Sequence, residues 1–343
     1  MITLKHIYEL IKKSENPLIF FDDDPDGLIS YLLIKKHFDK GKGVAVKGKP
    51  MVGNEFLLSV EKYNPDLIIV LDKPIIEQDF IDNTNVPIVW IDHHPVVKVK
   101  GVKYYNPRLK NKNDNRCVSY WAYRLTGDNM WLAAIGVVSD YQKSGFLKYF
   151  AKKYPELLDK VKDQNEMLFN SNLGKLIKIF VFSLKGDTKF ANKNIEILSK
   201  IKDPFDLLLG RTEDSKFLLK RIKKVEKHYN RLLDKAIEEN KDNKDFVIFI
   251  YPSGKYSFSA EMSNELMQKF PGRFIIVGRE KDDEVRMSLR APENKKNIKL
   301  PEVIQKALVG LEGYGGGHDY AAGANIKKKD FHQFIESIKN QLL

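Results

Sequence analysis

Three short apolar segments, each followed at once by acidic residues or histidines, constrain the fold of this chain more than any other feature. They are PLIFF (17–21), DLIIVLD (66–72) and VPIVWIDHH (86–94), and stretches with helical spacing of apolar residues separate them. Continuous apolar strands that alternate with helices predict a parallel sheet covered on both faces. Ligands of such sheets bind beyond the carboxyl ends of the strands, where these acids and histidines lie.

The rest of the chain predicts a second α/β region. From about residue 119 to residue 238 the pattern is helical, and β-character returns with FVIFIYP (246–252). A chain of 343 residues has room for about two domains. We predict the α/β class, with an N-terminal parallel-sheet domain (1–190), a helical connector (191–240), a smaller C-terminal α/β domain (241–343) and an active-site cleft between the two α/β domains.

Composition narrows the possible functions. The formal net charge of +12 makes a polyanionic partner plausible. Cys117 is the only cysteine, which excludes intrachain disulfides and cysteine-based zinc sites and fits a reducing cytoplasm. No apolar run has the length of a membrane span, and the start predicts an amphipathic helix instead of a signal peptide. The sequence contains no GxxxxGK[ST] motif, so it does not indicate an enzyme that uses ATP.

The acids and histidines form a candidate metal site. Asp22, Asp24 and Asp26 alternate, and Pro25 and Gly27 predict a turn that fans their carboxylates around one point. The full set follows three strands and one later apolar segment: Asp22, Asp24, Asp26, Asp72, Asp92, His93, His94 and Asp140. Oxygen-rich ligands with an imidazole suit Mn²⁺ or Mg²⁺, and paired ions of this kind hydrolyse phosphoesters.

Each piece also has a structural interpretation. An Asp-rich turn before a helix is often an N-cap, Asp-Pro-Asp-Gly is ordinary turn chemistry, and a histidine pair is more often a surface feature than a catalytic one. Independent caps have no reason to converge at one sheet edge. The convergence at three successive strand ends therefore favours the metal site.

A glycine cluster near the end of the chain is a second candidate site. Gly315, Gly316 and Gly317 permit positive φ angles and leave backbone N–H groups unshielded, as a phosphate-binding loop requires. Arg290 and His318 would complete such a site, the arginine through paired hydrogen bonds to phosphate oxygens. Alone, a glycine triplet is more often a flexible turn.

These motifs together resemble the DHH phosphoesterase superfamily. FDDDPDG, VLDKP, IDHHP and VVSD stand in the order and approximate spacing of its four motifs. GYGGGHDYAAGA is similar to the Gly-Gly-Gly-His loop of the DHH-associated C-terminal domain, and EVRMSLRA to the Ser-Leu-Arg strand of that domain. The D-x-D-x-D-G form of the first motif resembles the RecJ-like branch, because many small-molecule phosphodiesterases of the superfamily have histidine at its first position.

The resemblance implies two Mn²⁺ ions, for which Mg²⁺ or Co²⁺ can substitute. Asp22, Asp24 and Asp72 would hold one ion, and Asp26, Asp72, His93 and Asp140 the other. Asp92 would orient the histidines, His94 would stand behind the ligands or touch the substrate phosphate, and Asp23 has no assigned role.

The implied activity is a single-strand exonuclease acting on DNA or RNA. A metal-bridging hydroxide would attack the scissile phosphorus, while Arg290 and the Gly315–His318 loop would hold the terminal phosphate. Replication or repair proteins are possible partners. Two alternatives stay open: a phosphodiesterase for very short oligoribonucleotides, cyclic dinucleotides or other small nucleotides, and a replication scaffold without activity.

Overall fold

The computed structural model describes residues 2–158, 163–292, 294–295 and 298–343. Residues 159–162, inside the predicted helical region, lie outside the described residues. Contacts divide the chain into two compact units. Unit 1 comprises Met1–Leu184 and Ala191–Leu219, and unit 2 comprises Lys185–Phe190 and Lys220–Leu343.

Among the described residues, strands and helices are interspersed up to residue 105, helices follow up to residue 240, and strands and helices are interspersed again from residue 246. Helices α1–α15 are Leu4–Lys13, Pro25–Phe38, Leu57–Tyr63, Gln78–Asn83, Val118–Thr126, Met130–Ser139, Leu147–Lys153, Gln164–Phe169, Asn172–Ser183, Thr188–Lys200, Pro204–Leu208, Glu213–Asn240, Ser259–Lys269, Leu300–Ala307 and Phe331–Leu342. Strands β1–β12 are Pro17–Asp22, Lys42–Val46, Met51–Val52, Leu67–Leu71, Ile75–Ile76, Ile88–Ile91, Val102–Tyr105, Phe246–Tyr251, Phe274–Lys281, Glu284–Arg290, Gly313–His318 and Ala321–Lys327.

The N-terminal sheet is parallel, which confirms the predicted fold class. Its five strands run in the spatial order β2-β1-β4-β6-β7, so the three predicted strands are adjacent in its centre. β4 and β6 are buried at every position, as expected for strands covered on both faces. Each large aliphatic or aromatic side chain buried in this way contributes about 1.5–3 kcal/mol.

The register of this sheet aligns the ends of its strands. Phe21 pairs with Leu71, Leu71 with Ile91, and Ile91 with Tyr105. The residues that follow these positions are Asp22, Asp72, Asp92 and Asn106. Four polar side chains therefore stand side by side at one edge, because paired residues on adjacent parallel strands lie at the same level.

The second sheet corrects one prediction. Its spatial order is β11-β12-β10-β9-β8, with β8 and β9 parallel and the other pairs antiparallel. Gly313–His318, expected to be a loop, is the edge strand β11 and pairs with β12 along its whole length. Glycine has a low strand propensity, so its own pattern did not predict a strand, but the partner strand supplies the pairing.

Each sheet has its own core. One cluster of buried side chains covers the N-terminal sheet and includes Phe20 and Trp90, and another covers the C-terminal sheet and includes Phe274 and Phe334. Among the described residues, none of the helices combines the length and the apolar character needed to cross a membrane.

Candidate metal centre

The turn between β1 and α2 gathers the first three carboxylates. Asp24 is the N-cap of α2, and its side chain accepts a hydrogen bond from the Gly27 N–H (2.9 Å). Gly27 is required here, because a Cβ atom would lie 2.6 Å from the backbone N and O of Asp22. The glycine thus lets the helix start fold back against the strand end, so that Asp26 returns beside the sheet edge.

Asp26 ties this turn to a third element. Its carboxylate is 2% exposed and accepts the N–H groups of Val118 (2.8 Å to Oδ2) and Ser119 (2.8 Å to Oδ1), at the start of α5. The free N–H groups at a helix start favour a negative charge. Both carboxylate oxygens are therefore fixed in direction, while each keeps acceptor capacity for one more partner.

Asp140 follows α6, as the sequence predicts. The Gln142 amide donates to Asp140 Oδ2 (2.8 Å), and the Gln142 Oε1 atom accepts the Cys117 N–H (2.8 Å). Ligand atoms of Asp26, Cys117 and Asp140 all lie within 4.8 Å of one another. The structure thus adds a thiol, which the sequence had not placed near the site.

Asp72 lies at the centre of the site with an unsatisfied oxygen. Asp72 is 2% exposed, and its backbone adopts a left-handed conformation with φ 59°. Within the described part of the chain, its buried Oδ1 atom has no hydrogen-bond partner. His93 Nε2 is 3.3 Å away, at ion-pair distance but without hydrogen-bond geometry. A buried, unpaired carboxylate oxygen is costly unless another ligand completes it.

The two histidine rings are oriented by different hydrogen-bond partners. His93 Nδ1 lies 2.9 Å from the Asn115 carbonyl oxygen, which can only accept, so Nδ1 carries the proton and Nε2 faces Asp72. His94 Nδ1 lies 2.7 Å from Oδ1 of the fully buried Asp92. Asp92 therefore orients His94, and a backbone carbonyl orients His93.

Three groups have ligand atoms close enough to share an ion, and the first two share Asp72: Asp22, Asp24 and Asp72; Asp72, His93 and His94; and Asp26, Cys117 and Asp140. Asp72 thus lies close to the ligand atoms of four other residues. All eight acids and histidines predicted from the sequence thus lie at one edge of the sheet, Asp92 through its contact with His94.

The crowding of these carboxylates shifts their pKa values. Desolvation and the charge of Asp24 raise the pKa of Asp22 to about 7, despite the opposing charge of Lys73. Desolvation and the charge of Asp26 raise the pKa of Asp24 to about 6. The pKa values of Asp72 and Asp140 are also raised well above the ordinary range, first by burial and then by Asp26.

The pKa of His93 is also raised, which in a histidine favours the charged form. Burial lowers its pKa, but the negative charges of Asp140 and Asp26 raise it more, so its pKa lies above the ordinary value. Both trends indicate that negative charge exceeds positive charge at the site, and a divalent cation would offset the excess.

Sequence reasoning missed several residues around this centre. They are Lys73, Asn106, Arg108, Asn115, Cys117 and Gln142, which contact the predicted residues through hydrogen bonds, an ion pair or proximity. Only Lys73 carried a local signal, since it adjoins Asp72 at the end of an apolar strand. The others depend on tertiary packing.

In unit 2, the predicted basic residues lie at one level of the sheet. Arg290 and His318 both pair with Ala321, from opposite sides of β12. Paired residues point to the same face, so these two side chains share a face, about two strand spacings (~10 Å) apart. Arg290 Nε donates to Asn264 Oδ1 (2.7 Å), which fixes the direction of the guanidinium.

Solved structures share this fold at low sequence identity. RecJ of Thermus thermophilus in complex with Mn²⁺ matches with a TM-score of 0.68 and 15% identity, over 99% of this chain and 54% of RecJ. An exonuclease RecJ bound to manganese matches with a TM-score of 0.66 and 14% identity, over 100% of this chain and 94% of the other. The DHH domain of a member of the S1p family of ribosomal proteins matches with a TM-score of 0.66 and 15% identity, over 99% of this chain and 89% of the other.

The chain thus spans about half the length of the Thermus protein. A sequence comparison with curated proteins finds no match. A family model, that of the DHHA1 domain, matches residues 242–342. The predicted resemblance is confirmed in the fold, which is similar to that of RecJ, and in residues 242–342, which match the DHHA1 domain.

Proposed function

We propose that this protein is a Mn²⁺- or Mg²⁺-dependent phosphodiesterase, and more narrowly an exonuclease for single-stranded DNA or RNA. One observation carries the proposal: the buried Oδ1 of Asp72 has no hydrogen-bond partner among the described residues, although Asp72 belongs to two sets of residues whose ligand atoms are close enough to share an ion. A carboxylate oxygen in this position fits a cation-binding site better than a structural network, in which its partners would be present.

The residues fit two hard cations. Asp22, Asp24 and Asp72, whose ligand atoms lie together, would hold one ion. Asp26, Asp72, His93 and Asp140 would hold the second, as the sequence resemblance implies; of these, Asp72 and His93 belong to one cluster of ligand atoms, and Asp26 and Asp140 to another. Carboxylates and one imidazole suit Mn²⁺ and Mg²⁺. When bound, such a pair polarises a phosphoryl group and activates water for hydrolysis.

The chain's own groups would position the reactants. Asp92 holds the His94 ring through Nδ1, which leaves Nε2 available to donate to a substrate phosphate oxygen. Arg290, Gly315, Gly316, Gly317 and His318 of unit 2 would bind the substrate phosphate, and the net charge of +12 favours a polyanion over a small nucleotide.

Digestion of end-labelled DNA and RNA ladders, from dinucleotides to long oligomers, tests the proposal. With Mn²⁺ present, we expect stepwise shortening of single strands from one end, and no shortening after chelation. Turnover confined to the shortest oligomers would instead identify a small-nucleotide phosphodiesterase. No hydrolysis with Mn²⁺, Mg²⁺ or Co²⁺ would contradict the enzymatic proposal and leave the scaffold alternative.

A further inference from the structure

Lys73 is a buried cation inside the carboxylate cluster. It follows Asp72 directly, and its side chain is 1% exposed. Fully buried lysines are rare unless they are paired. Its Nζ atom donates to Asp22 Oδ1 (2.9 Å) and to the Lys49 carbonyl oxygen, and its own carbonyl accepts from Trp90 Nε1 (2.9 Å). The Lys73 residue is therefore held in place by contacts at its side-chain ammonium and at its backbone carbonyl.

This contact uses one oxygen of a proposed metal ligand. Asp22 Oδ1 accepts from Lys73 Nζ and also from the Asp23 N–H (2.8 Å). A carboxylate oxygen has two lone pairs, so Oδ1 is fully occupied and Oδ2 alone stays open to a cation. The ammonium also neutralises one of the three negative charges of the group formed by Asp22, Asp24 and Asp72.

The acids of the other position have no lysine or arginine partner among the described residues. In the part of the chain that the structure describes, neither Asp26 nor Asp140 forms an ion pair with a lysine or arginine. Their hydrogen bonds come from backbone N–H groups and an amide, which orient the carboxylates without cancelling their charge. The surroundings of the two sets of ligands therefore give them different net charges.

We propose that Lys73 makes the two cation positions unequal, so that the position at Asp22, Asp24 and Asp72 binds Mn²⁺ more weakly than the position at Asp26, Asp72, His93 and Asp140. The inference rests on the proposed metal-dependent function. Coulomb repulsion between a fixed ammonium and an incoming cation raises the dissociation constant of the nearer position first. The resting protein then holds one ion, and the second binds at higher concentration.

Manganese binding to the full chain tests this inference without any activity measurement. Free Mn²⁺ is followed by electron paramagnetic resonance during titration of the metal-free protein. We expect two binding steps whose dissociation constants differ by at least about tenfold. In Lys73→Met, which keeps an unbranched apolar side chain of similar length, the weaker step tightens by about tenfold while the stronger step is unchanged.

Two further variants serve as controls. Lys49→Ala removes an exposed cation that pairs with Glu55 but keeps the carbonyl that Lys73 contacts, and we expect wild-type binding. Lys73→Arg keeps the charge and should keep the two steps apart. If Lys73→Met fails to fold, as circular dichroism would show, Asp22→Asn replaces it and should weaken only the weaker step.

The outcomes separate this inference from the proposed function. Two equal steps in the wild-type protein, or unchanged steps in a folded Lys73→Met variant, would overturn the role of Lys73 and leave the metal site intact. No Mn²⁺ binding in any variant would overturn the metal-dependent function itself.

Discussion

The carboxylate cluster of unit 1 and the glycine-rich strand β11 of unit 2 both resemble motifs of the superfamily. They differ in whether contacts within the protein account for the residues found there. In β11, a Cβ atom on Gly315 would lie 2.7 Å from the Ile304 side chain, and one on Gly317 would lie 2.7 Å from the Ala321 carbonyl oxygen. Close packing thus accounts for these two glycines without any ligand. The buried Oδ1 of Asp72 has no comparable partner in the described residues.

This difference separates two kinds of motif match. The cluster accumulates buried negative charge that destabilises the fold unless a ligand compensates it. The strand is stabilised by its own backbone pairing, so its glycines alone do not demand a phosphate. Variants that break the comparison should therefore affect activity in the first region and, at the closely packed Gly315 and Gly317, stability in the second.

Asp72→Asn should have the largest effect. The substitution keeps the shape of the side chain but removes the charge shared by both proposed cation positions, so we expect hydrolysis to fall by about a thousandfold or more. The rate of shortening of a labelled oligonucleotide measures this. Asp23→Asn is the matched control, because Asp23 lies in the same acidic run but in none of the three ligand groups. Equal losses in both variants would contradict the assignment.

Gly317→Ala should destabilise unit 2. Gly317 has φ 142°, and a Cβ atom would also lie 2.8 Å from the Ala322 Cα atom, so backbone atoms would have to move. We expect a loss of about 1–3 kcal/mol in the free energy of unfolding, measured in urea. Mn²⁺ binding in unit 1 should not change. A variant as stable as the wild type would show that β11 tolerates a side chain at this position.

Mn²⁺ should stabilise the protein, and more so at higher pH. The pKa values of Asp22 and Asp24 rise from 3.8 to about 7 and about 6. Within that range the folded, metal-free chain binds more protons than the unfolded chain, so the contribution of these groups to stability falls as pH rises. A cation that needs ionised carboxylates acts in the opposite direction.

Calorimetry measures the balance of these effects. At a free Mn²⁺ concentration 100-fold above the dissociation constant, Mn²⁺ binding increases the free energy of unfolding by about 2.7 kcal/mol. We expect a larger rise in melting temperature at about pH 8 than at about pH 6, reversed by chelation. Equal rises at both pH values would show that these carboxyls are already ionised before the metal binds.

The sequence predicted the cluster better than the elements around it. Apolar strands that end in acids gave the positions of Asp22, Asp72 and Asp92, because the order of a parallel sheet brings its strand ends together. β2 and β7 were not predicted, since both are short and largely half-buried or exposed, with no continuous apolar run. Their places in the sheet come from pairing with neighbouring strands.

Contacts made through tertiary structure were beyond the sequence pattern. Lys73 adjoins Asp72 at the end of an apolar strand, but nothing in that segment indicates its partner Asp22, 51 positions earlier. Cys117 and Gln142 reach Asp26 and Asp140 only because α5 and α6 pack beside α2. Helical periodicity locates such helices but does not state which polar side chain meets which carboxylate.

Gly316→Ala should have the smallest effect on stability, and it sharpens the comparison most. A Cβ atom on Gly316 would meet no other atom within 4 Å, so the free energy of unfolding should change by about 0.5 kcal/mol or less. If a substrate phosphate approaches the backbone of β11, the added methyl group obstructs it and the apparent KM rises by about tenfold, which corresponds to about 1.4 kcal/mol. Steady-state kinetics on a single-stranded oligomer measures this, with urea unfolding as the control. Unchanged KM and stability would mean that the glycines of β11 serve close packing alone, and that substrate recognition in unit 2 depends on side chains such as Arg290.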